Sequence, residues 1–507
     1  MIEWKKILTF GKSFVDEYGR ERIFNGINIC DKGTFNGKSR DYMFPWSDGR
    51  IGKLKSCGFN LIRLCVTWDA IEPEKGKYNE IYLAGIKKIL DECERNGIYV
   101  YLDMHQDLFS GFGNGPGDGA PYWACLTENH KYRLPKIVWD ESYFIDKAVH
   151  KAFDNFWQNK PLYDGEPIQD HYIKLWQMLA ARFGNHGALF GFDLMNEPFM
   201  GSDGGKIFRI LVRSLISTTF RDKRISKKEL FSRAFKKGEQ IRILDLYTSD
   251  VLADIVSNAA ALGQKFDEQY YSPFIARTAA AIREITPNGI LMIENNYFSN
   301  LGIPCAAKPI EFNGKREPNQ AFSPHAYDFM VDTPLYKYAN NGRVGGIFAQ
   351  RKKEQDERFE MPVLVGEWGG NSVGTEWLPH VEYLLSIFDS NRWSNTYWDY
   401  HDDIFDSPLM SVLCRPCPIA VTGHIKEYRH DRRQNTFTVT YEQDECCSEP
   451  TRIYLHKKPE KIECSGQYEF ECYPDGNGVL SVTTQPGTNT VKVKFVGNGF
   501  SFTEAHS

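Results

Sequence analysis

Eight short apolar runs punctuate the first four-fifths of the chain, at 24–30, 59–68, 98–105, 189–197, 289–294, 321–327, 362–368 and 395–400. Most are nearly continuous in hydrophobicity, the pattern of strands buried on both faces. Between them, apolar residues recur at three- and four-residue spacing over 80–96, 170–183, 274–285 and 376–390, which predicts amphipathic helices. Eight strands alternating with helices predict an α/β fold, a (β/α)8 TIM barrel over residues 1–405. After Asp406-Ser407-Pro408 the pattern changes. Runs of β-formers at 436–441, 452–456, 468–472, 479–484 and 491–495 alternate with Gly, Pro and Asn turns, predicting a C-terminal β-sandwich over 410–507. The stretch from about 200 to 269 fits neither pattern and reads as an insertion in the barrel.

The ends of the predicted strands carry the chemistry. Glu197, in GFDLMNEPF (191–199), and Glu367, in PVLVGEWGG (362–370), each follow an apolar run. Barrels of this kind set their reacting groups at the C-terminal ends of strands. Two facing carboxyl groups are what glycosidic hydrolysis needs: one protonates the leaving oxygen, the other attacks the sugar. Other strand ends supply Arg63, Asp103, His105, Asp107, Asn196, His325, Tyr327 and Trp398. Residues two apart on a strand share a face, so Asp103, His105 and Asp107 can point together. Singly, His105 and Asp107 also read as a metal pair or helix cap, and His325 as a core histidine. Their joint position at successive strand ends favours a single site.

Composition narrows the function. A net charge of −5 disfavours nucleic acid as a partner. No apolar run approaches the roughly 20 residues that span a bilayer. The opening MIEWKKILTFGKSF has neither a continuous apolar core nor a small-residue cleavage site, so a cytoplasmic address is the expectation, or a secreted one if a leader was trimmed. Cys30, Cys57, Cys65, Cys93, Cys125 and Cys305 read as buried thiols. Cys414 and Cys417 form a C-x-x-C, and Cys446 and Cys447 are adjacent, but zinc would require a second spaced pair. Reduced thiols are expected, with disulfides among the last six cysteines left open for an exported protein.

The insertion is locally basic. Between Lys206 and Arg242 stand twelve basic residues, Lys237 among them, against the three acids Asp222, Glu229 and Glu239, a net of +9. Ile207, Phe208, Leu211, Val212, Leu215 and Ile216 recur at helical spacing. Such a helix could make peripheral contact with an anionic membrane. The plainer reading is a lid packed on the barrel, its charges solvated.

NEP at 196–198 and GEWG at 366–369, with Arg63, His105, His325, Tyr327 and Trp398 in order, resemble glycoside hydrolase family 5. LDMHQD (102–107), AFDNFW (152–157), QDHYIKLW (169–176), FDLMNEPF (192–199), YWDY (397–400) and CRPCPIAVTG (414–423) resemble its endoglycoceramidases, which cleave the β-bond between a glycan and ceramide. The resemblance spans nearly the whole chain. It implies Glu197 as acid/base, Glu367 as nucleophile, Asn196 at the sugar 2-hydroxyl and Trp398 under the ring. It further implies Lys32, Asp103 and Asp107 as sugar contacts, with Trp139 also binding substrate, and no metal or cofactor. This chain departs from the family at Trp368, at Cys417 and through the 200–269 segment. Two alternatives stand beside a glycosphingolipid substrate. One is a β-glucosidase, glucosylceramidase or endoglucanase acting on another β-glycoside; the other is a binding protein that has lost activity, which the intact Glu197, Glu367, Asn196 and Arg63 disfavour.

Overall fold

The computed structural model describes residues 6–497 and 499, apart from 38–39, 43–48, 137–138, 237–239, 332 and 446. Lys237, Glu239 and Cys446 therefore lie outside the described residues. The eight barrel strands are Asn25–Cys30, Leu61–Thr67, Tyr99–His105, Leu189–Asp193, Ile290–Glu294, Gln320–Ser323, Leu364–Val365 and Ser394–Tyr397. They form one parallel sheet in barrel order, and the bridges Phe322↔Val363 and His325↔Glu367 join the sixth strand to the seventh. Seven of the eight strands carry no exposed or half-exposed residue before their last, as the continuous apolar runs require, Leu189 being the exception at its first position.

Side chains pointing into the lower barrel stack as Phe24, Leu61, Tyr99, Tyr101, Phe190, Ile290 and Met292. These close the barrel from below, so only its upper, C-terminal end is open to solvent. The helices form where spacing predicts them. Glu80–Asn96 is typical: the Asn79 side chain accepts the Tyr82 N–H at its start, and Gly97 ends it with φ 70°.

The N-terminal strands behave differently from the expected barrel segment. Ile7–Phe10, Ser13–Asp16 and Glu21–Arg22 extend the larger sheet of the C-terminal sandwich, with Arg22 opposite Ala420 and Glu21 opposite Val421. Ile7 and Phe14 from this hairpin cover the lower barrel core. Asp16, wholly buried, holds Arg20 at 2.9 Å and Arg22 at 3.3 Å, which fixes the hairpin beside the sandwich. The sandwich faces a four-stranded sheet of His424–Asp431, Thr436–Gln443, Gly487–Phe495 and Pro459–Glu463. Burial alternates residue by residue along Thr436–Gln443, the pattern of a strand with one face in the core. Every cysteine among the described residues is a free thiol.

The insertion is helical: Ser202–Arg221, Lys227–Phe235, Ser249–Ser257 and Ala260–Phe266 follow the fourth strand. Its own small core gathers Ile225, Tyr247 and Ile255 against Leu211 and Leu215. No described helix is long and apolar enough to cross a membrane.

Candidate active site

Arg63, on the second strand, is fully buried at the centre of the upper barrel. Its guanidinium reaches Glu367 at 2.6 Å, Glu294 at 2.8 Å, Asn196 at 2.9 Å, and Asp103 and Asp193 at 3.0 Å. Four carboxyl groups thus surround one fixed positive charge, and burial keeps part of them neutral. It pushes Asp193 up to about 7 and Glu294 well above the usual carboxylate range.

Glu197 and Glu367 face each other across His325. The His325 Nδ1 lies 3.0 Å from Glu197 Oε1 and 3.7 Å from Glu367 Oε2, so those oxygens are at most about 6.7 Å apart, near the ~5–5.5 Å of a retaining pair and short of most inverting ones. Burial drives His325 down to about 3, so the imidazole is neutral here. Asn300 donates to Glu197 Oε1 at 2.7 Å, and the Glu197 N–H donates to Glu294 Oε2 at 2.7 Å. That second bond holds Glu197 at φ 39°, a left-handed conformation costing about 1–3 kcal/mol for a residue with a side chain. The Tyr327 hydroxyl donates to Glu367 Oε2 at 2.8 Å.

The two carboxyls differ in their electrostatics. Burial raises Glu197 to about 8, with the Asp107 charge the next contributor. Burial also holds Glu367 above the ordinary range, opposed by the Arg63 charge.

A cleft of about 630 Å³ opens over the pair, lined by Lys32, His105, Asp107, Trp139, Asn196, Tyr327 and Trp398 among others. Lys32 forms an ion pair with Asp107 and lies 3.7 Å from Asp118. Its ammonium sits 5.4 Å from the Trp398 ring centre and 5.7 Å from that of Trp139. His105 stacks on Trp398 at 5.4 Å. Asp103, expected as a sugar contact, does not line the cleft. It is fully buried, with one oxygen 3.0 Å from Arg63 and the other 2.8 Å from His105 Nδ1. Arg63 and His325 likewise act from beneath, holding the carboxyl groups.

Sequence reasoning missed Glu294, Asn300 and Asp118. Glu294 ends the predicted fifth strand, so the strand-end signal that found Glu197 would have found it. Asn300 lies on a helical turn beyond that strand, and Asp118 pairs with Asp107 across a ten-residue loop; neither has a local signature.

Beside the cleft lies an apolar chamber of about 850 Å³. Asp140, Ile241, Tyr297, Leu301 and Phe329 line both spaces, so the two adjoin. The far wall is built by Phe208, Leu211, Leu215, Leu252, Ile255 and Ile347.

The family model described as cellulase (glycosyl hydrolase family 5) matches residues 15–213 and 264–403. This chain belongs to glycosyl hydrolase family 5. The model of the glycoside hydrolase family 5 C-terminal domain matches 415–494. Residues 214–263, most of the insertion, fall outside both matches. An endoglycoceramidase of Cyanea nozakii is 33% identical over 215 residues, 38% of this chain and 41% of that protein. A glucosylceramidase of Rhizopus delemar is 25% identical over 530 residues, 78% of this chain and 75% of its own. The matches to the endoglycoceramidases of Cyanea nozakii, Hydra vulgaris and Rhodococcus hoagii span 41%, 39% and 37% of those proteins. Among solved structures, endo-glycoceramidase II from Rhodococcus sp. has the same fold, with a TM-score of 0.69 at 23% identity over 95% of this chain and 99% of that one.

Carbon-13 NMR of labelled glutamate is expected to find Glu197 titrating near about 8. In Asp107→Asn the midpoint should move down, because the Asp107 carboxylate disfavours a second charge. A midpoint in the ordinary carboxylate range in the unmodified protein would contradict the buried environment described.

Proposed function

We propose that this protein is a retaining glycosidase that hydrolyses the β-bond between a glycan and ceramide. The observation that carries the reading is the apolar chamber adjoining the cleft: a soluble glycan offers nothing to bury there, whereas a lipid aglycone does. The relatives named endoglycoceramidase and glucosylceramidase support the same substrate class.

In the proposed reaction Glu367 attacks the anomeric carbon while the glycosidic oxygen leaves with the Glu197 proton. Arg63 and the Tyr327 hydroxyl favour the ionised Glu367 that attack requires. Esterification removes the Glu367 charge, and Glu197, now ionised, takes a proton from water as that water displaces the enzyme carboxylate. Asn196 meets the 2-hydroxyl, Trp398 lies under the ring, and Lys32, His105, Asp107 and Trp139 contact the remaining hydroxyls and the sugar face.

Glu367→Gln is expected to lose turnover by on the order of 10⁴-fold or more while still binding substrate. With Glu197→Ala, an activated aryl β-glycoside should still form the glycosyl-enzyme, and azide should speed its release as a β-glycosyl azide. Rescue in Glu367→Ala instead, or an α-azide, would mean the roles are exchanged.

Substrate class is tested on a panel of glucosylceramide, lactosylceramide, a ganglioside, a cello-oligosaccharide and an aryl β-glucoside. Release of intact glycan with free ceramide is the expected result. Turnover confined to the cello-oligosaccharide would replace the lipid reading with an endoglucanase.

Peripheral contact with an anionic membrane belongs to the same proposal. Along Ser202–Arg221, Ile216 and Phe220 stand one helical turn apart at 52% and 58% exposure, a short apolar stripe turned to solvent. Phe231 and Phe235 on Lys227–Phe235 are exposed as well, and basic residues flank both helices. Each basic residue near an anionic surface contributes about 1 kcal/mol, so replacing Lys223, Lys227 and Lys228 by Gln should cut vesicle binding on the order of a hundredfold at low salt. Hydrolysis of a soluble aryl glycoside should be unchanged. Equal sedimentation with neutral and anionic vesicles would leave the insertion as a solvated lid.

A further inference from the structure

Cys30 and Cys65 are register partners on the first two barrel strands, directly below the sugar cleft. Their sulfur atoms and one ring nitrogen of His105 all lie within 4.8 Å of one another. Donors of a tetrahedral zinc site stand about 3.5–3.8 Å apart, given bond lengths of ~2.0–2.3 Å, so closure needs movements of about 1 Å at most.

The imidazole is oriented for a metal. Its Nδ1 is 2.8 Å from Asp103 Oδ2, and Nε2 is buried without a hydrogen-bond partner among the described residues. A carboxylate on one ring nitrogen is the usual support for metal ligation by the other. His105 also belongs to a second donor group with Asp107 and Asp118, its Nε2 standing 3.7 Å from Asp107 Oδ2, which offers oxygen for a fourth position. Two thiolates with an imidazole are a soft donor set, matched to zinc and not to magnesium or calcium.

We propose that Cys30, Cys65 and His105 bind one zinc ion, with Asp107 completing the coordination, and that zinc and sugar exclude one another. Binding releases the thiol protons, and any proton on His105 Nε2, to solvent. It also takes His105 and Asp107 away from the sugar hydroxyls, so an occupied site inhibits. The inhibitory half rests on the cleft being the sugar site; the metal-binding half does not.

The test uses the full chain in phosphine-reduced buffer. Isothermal titration with zinc chloride is expected to give one ion per chain, and cobalt(II) should produce a thiolate-to-cobalt charge-transfer band. Zinc should inhibit aryl β-glucoside hydrolysis competitively, with reversal by EDTA. Loss of a residue that merely supports a ligand costs about 10–100-fold in affinity, so Cys30→Ser and Cys65→Ser should each raise the half-inhibiting zinc concentration more than tenfold. Both variants should keep turnover without zinc, and equal thermal melting will verify that they fold. No stoichiometric binding, or a cobalt complex lacking the thiolate band, overturns the site. Binding with the band but unchanged turnover, or equal zinc inhibition in both cysteine variants, overturns the exclusion of sugar. If the chain cleaves no glycoside, the reading of the cleft fails, while titration and cobalt spectrum still decide the metal site.

Discussion

A single buried guanidinium organises the upper barrel. Arg63 has no contact with solvent, and a charge so placed is tolerable only if fully paired and hydrogen-bonded. Its partners come from the first, third, fourth, fifth and seventh strands or their ends: Asn28, Asp103, Asp193, Asn196, Glu294 and Glu367. These bonds set where each strand end lies relative to the others. They also hold Glu367 directly, and hold Glu197 through the Glu294 carboxylate that accepts its N–H. Removing Arg63 would therefore release both carboxyls, and with them the spacing on which the chemistry depends.

The same burial supplies the proton inventory. One arginine cannot neutralise four carboxylates, so burial reduces the excess negative charge by retaining protons on Glu294 and, below about 7, on Asp193. Glu197 is raised by the same dry surroundings, while Glu367 has Arg63 and Tyr327 on its two oxygens. Two identical side chains thus acquire different tendencies to ionise, the arrangement by which paired carboxyls divide acid from nucleophile.

Around this fixed centre the insertion adds an apolar wall. The family model passes over 214–263, and that stretch builds much of the wall of the apolar chamber. The helix Ser202–Arg221 works on both sides: Leu211 and Leu215 turn to the insertion's core, whereas Ile216 and Phe220 turn outward. A helix buried on one face and apolar on part of the other is unusual for a solvated lid, and this double face links the chamber to the exposed stripe.

Much of the fold was legible in the chain because barrel strands are buried on both sides and read as unbroken apolar runs. Three- and four-residue apolar spacing marked the helices between them. Glu197, Glu367, Arg63, His105, His325 and Tyr327 were legible for a related reason: a polar residue ending an apolar strand is costly unless it serves the site. The sequence alone could not assign the N-terminal hairpin, whose hydrogen bonds run to strands some four hundred residues away. Nor could it separate Asp103, held beneath the cleft by Arg63 and His105, from Asp107, which lines it, although both share one strand pattern. Asn300 and the chamber wall were equally hidden. Local patterning records which residues are buried, but which buried groups meet depends on barrel closure and loop return, and these are fixed only when distant segments pack.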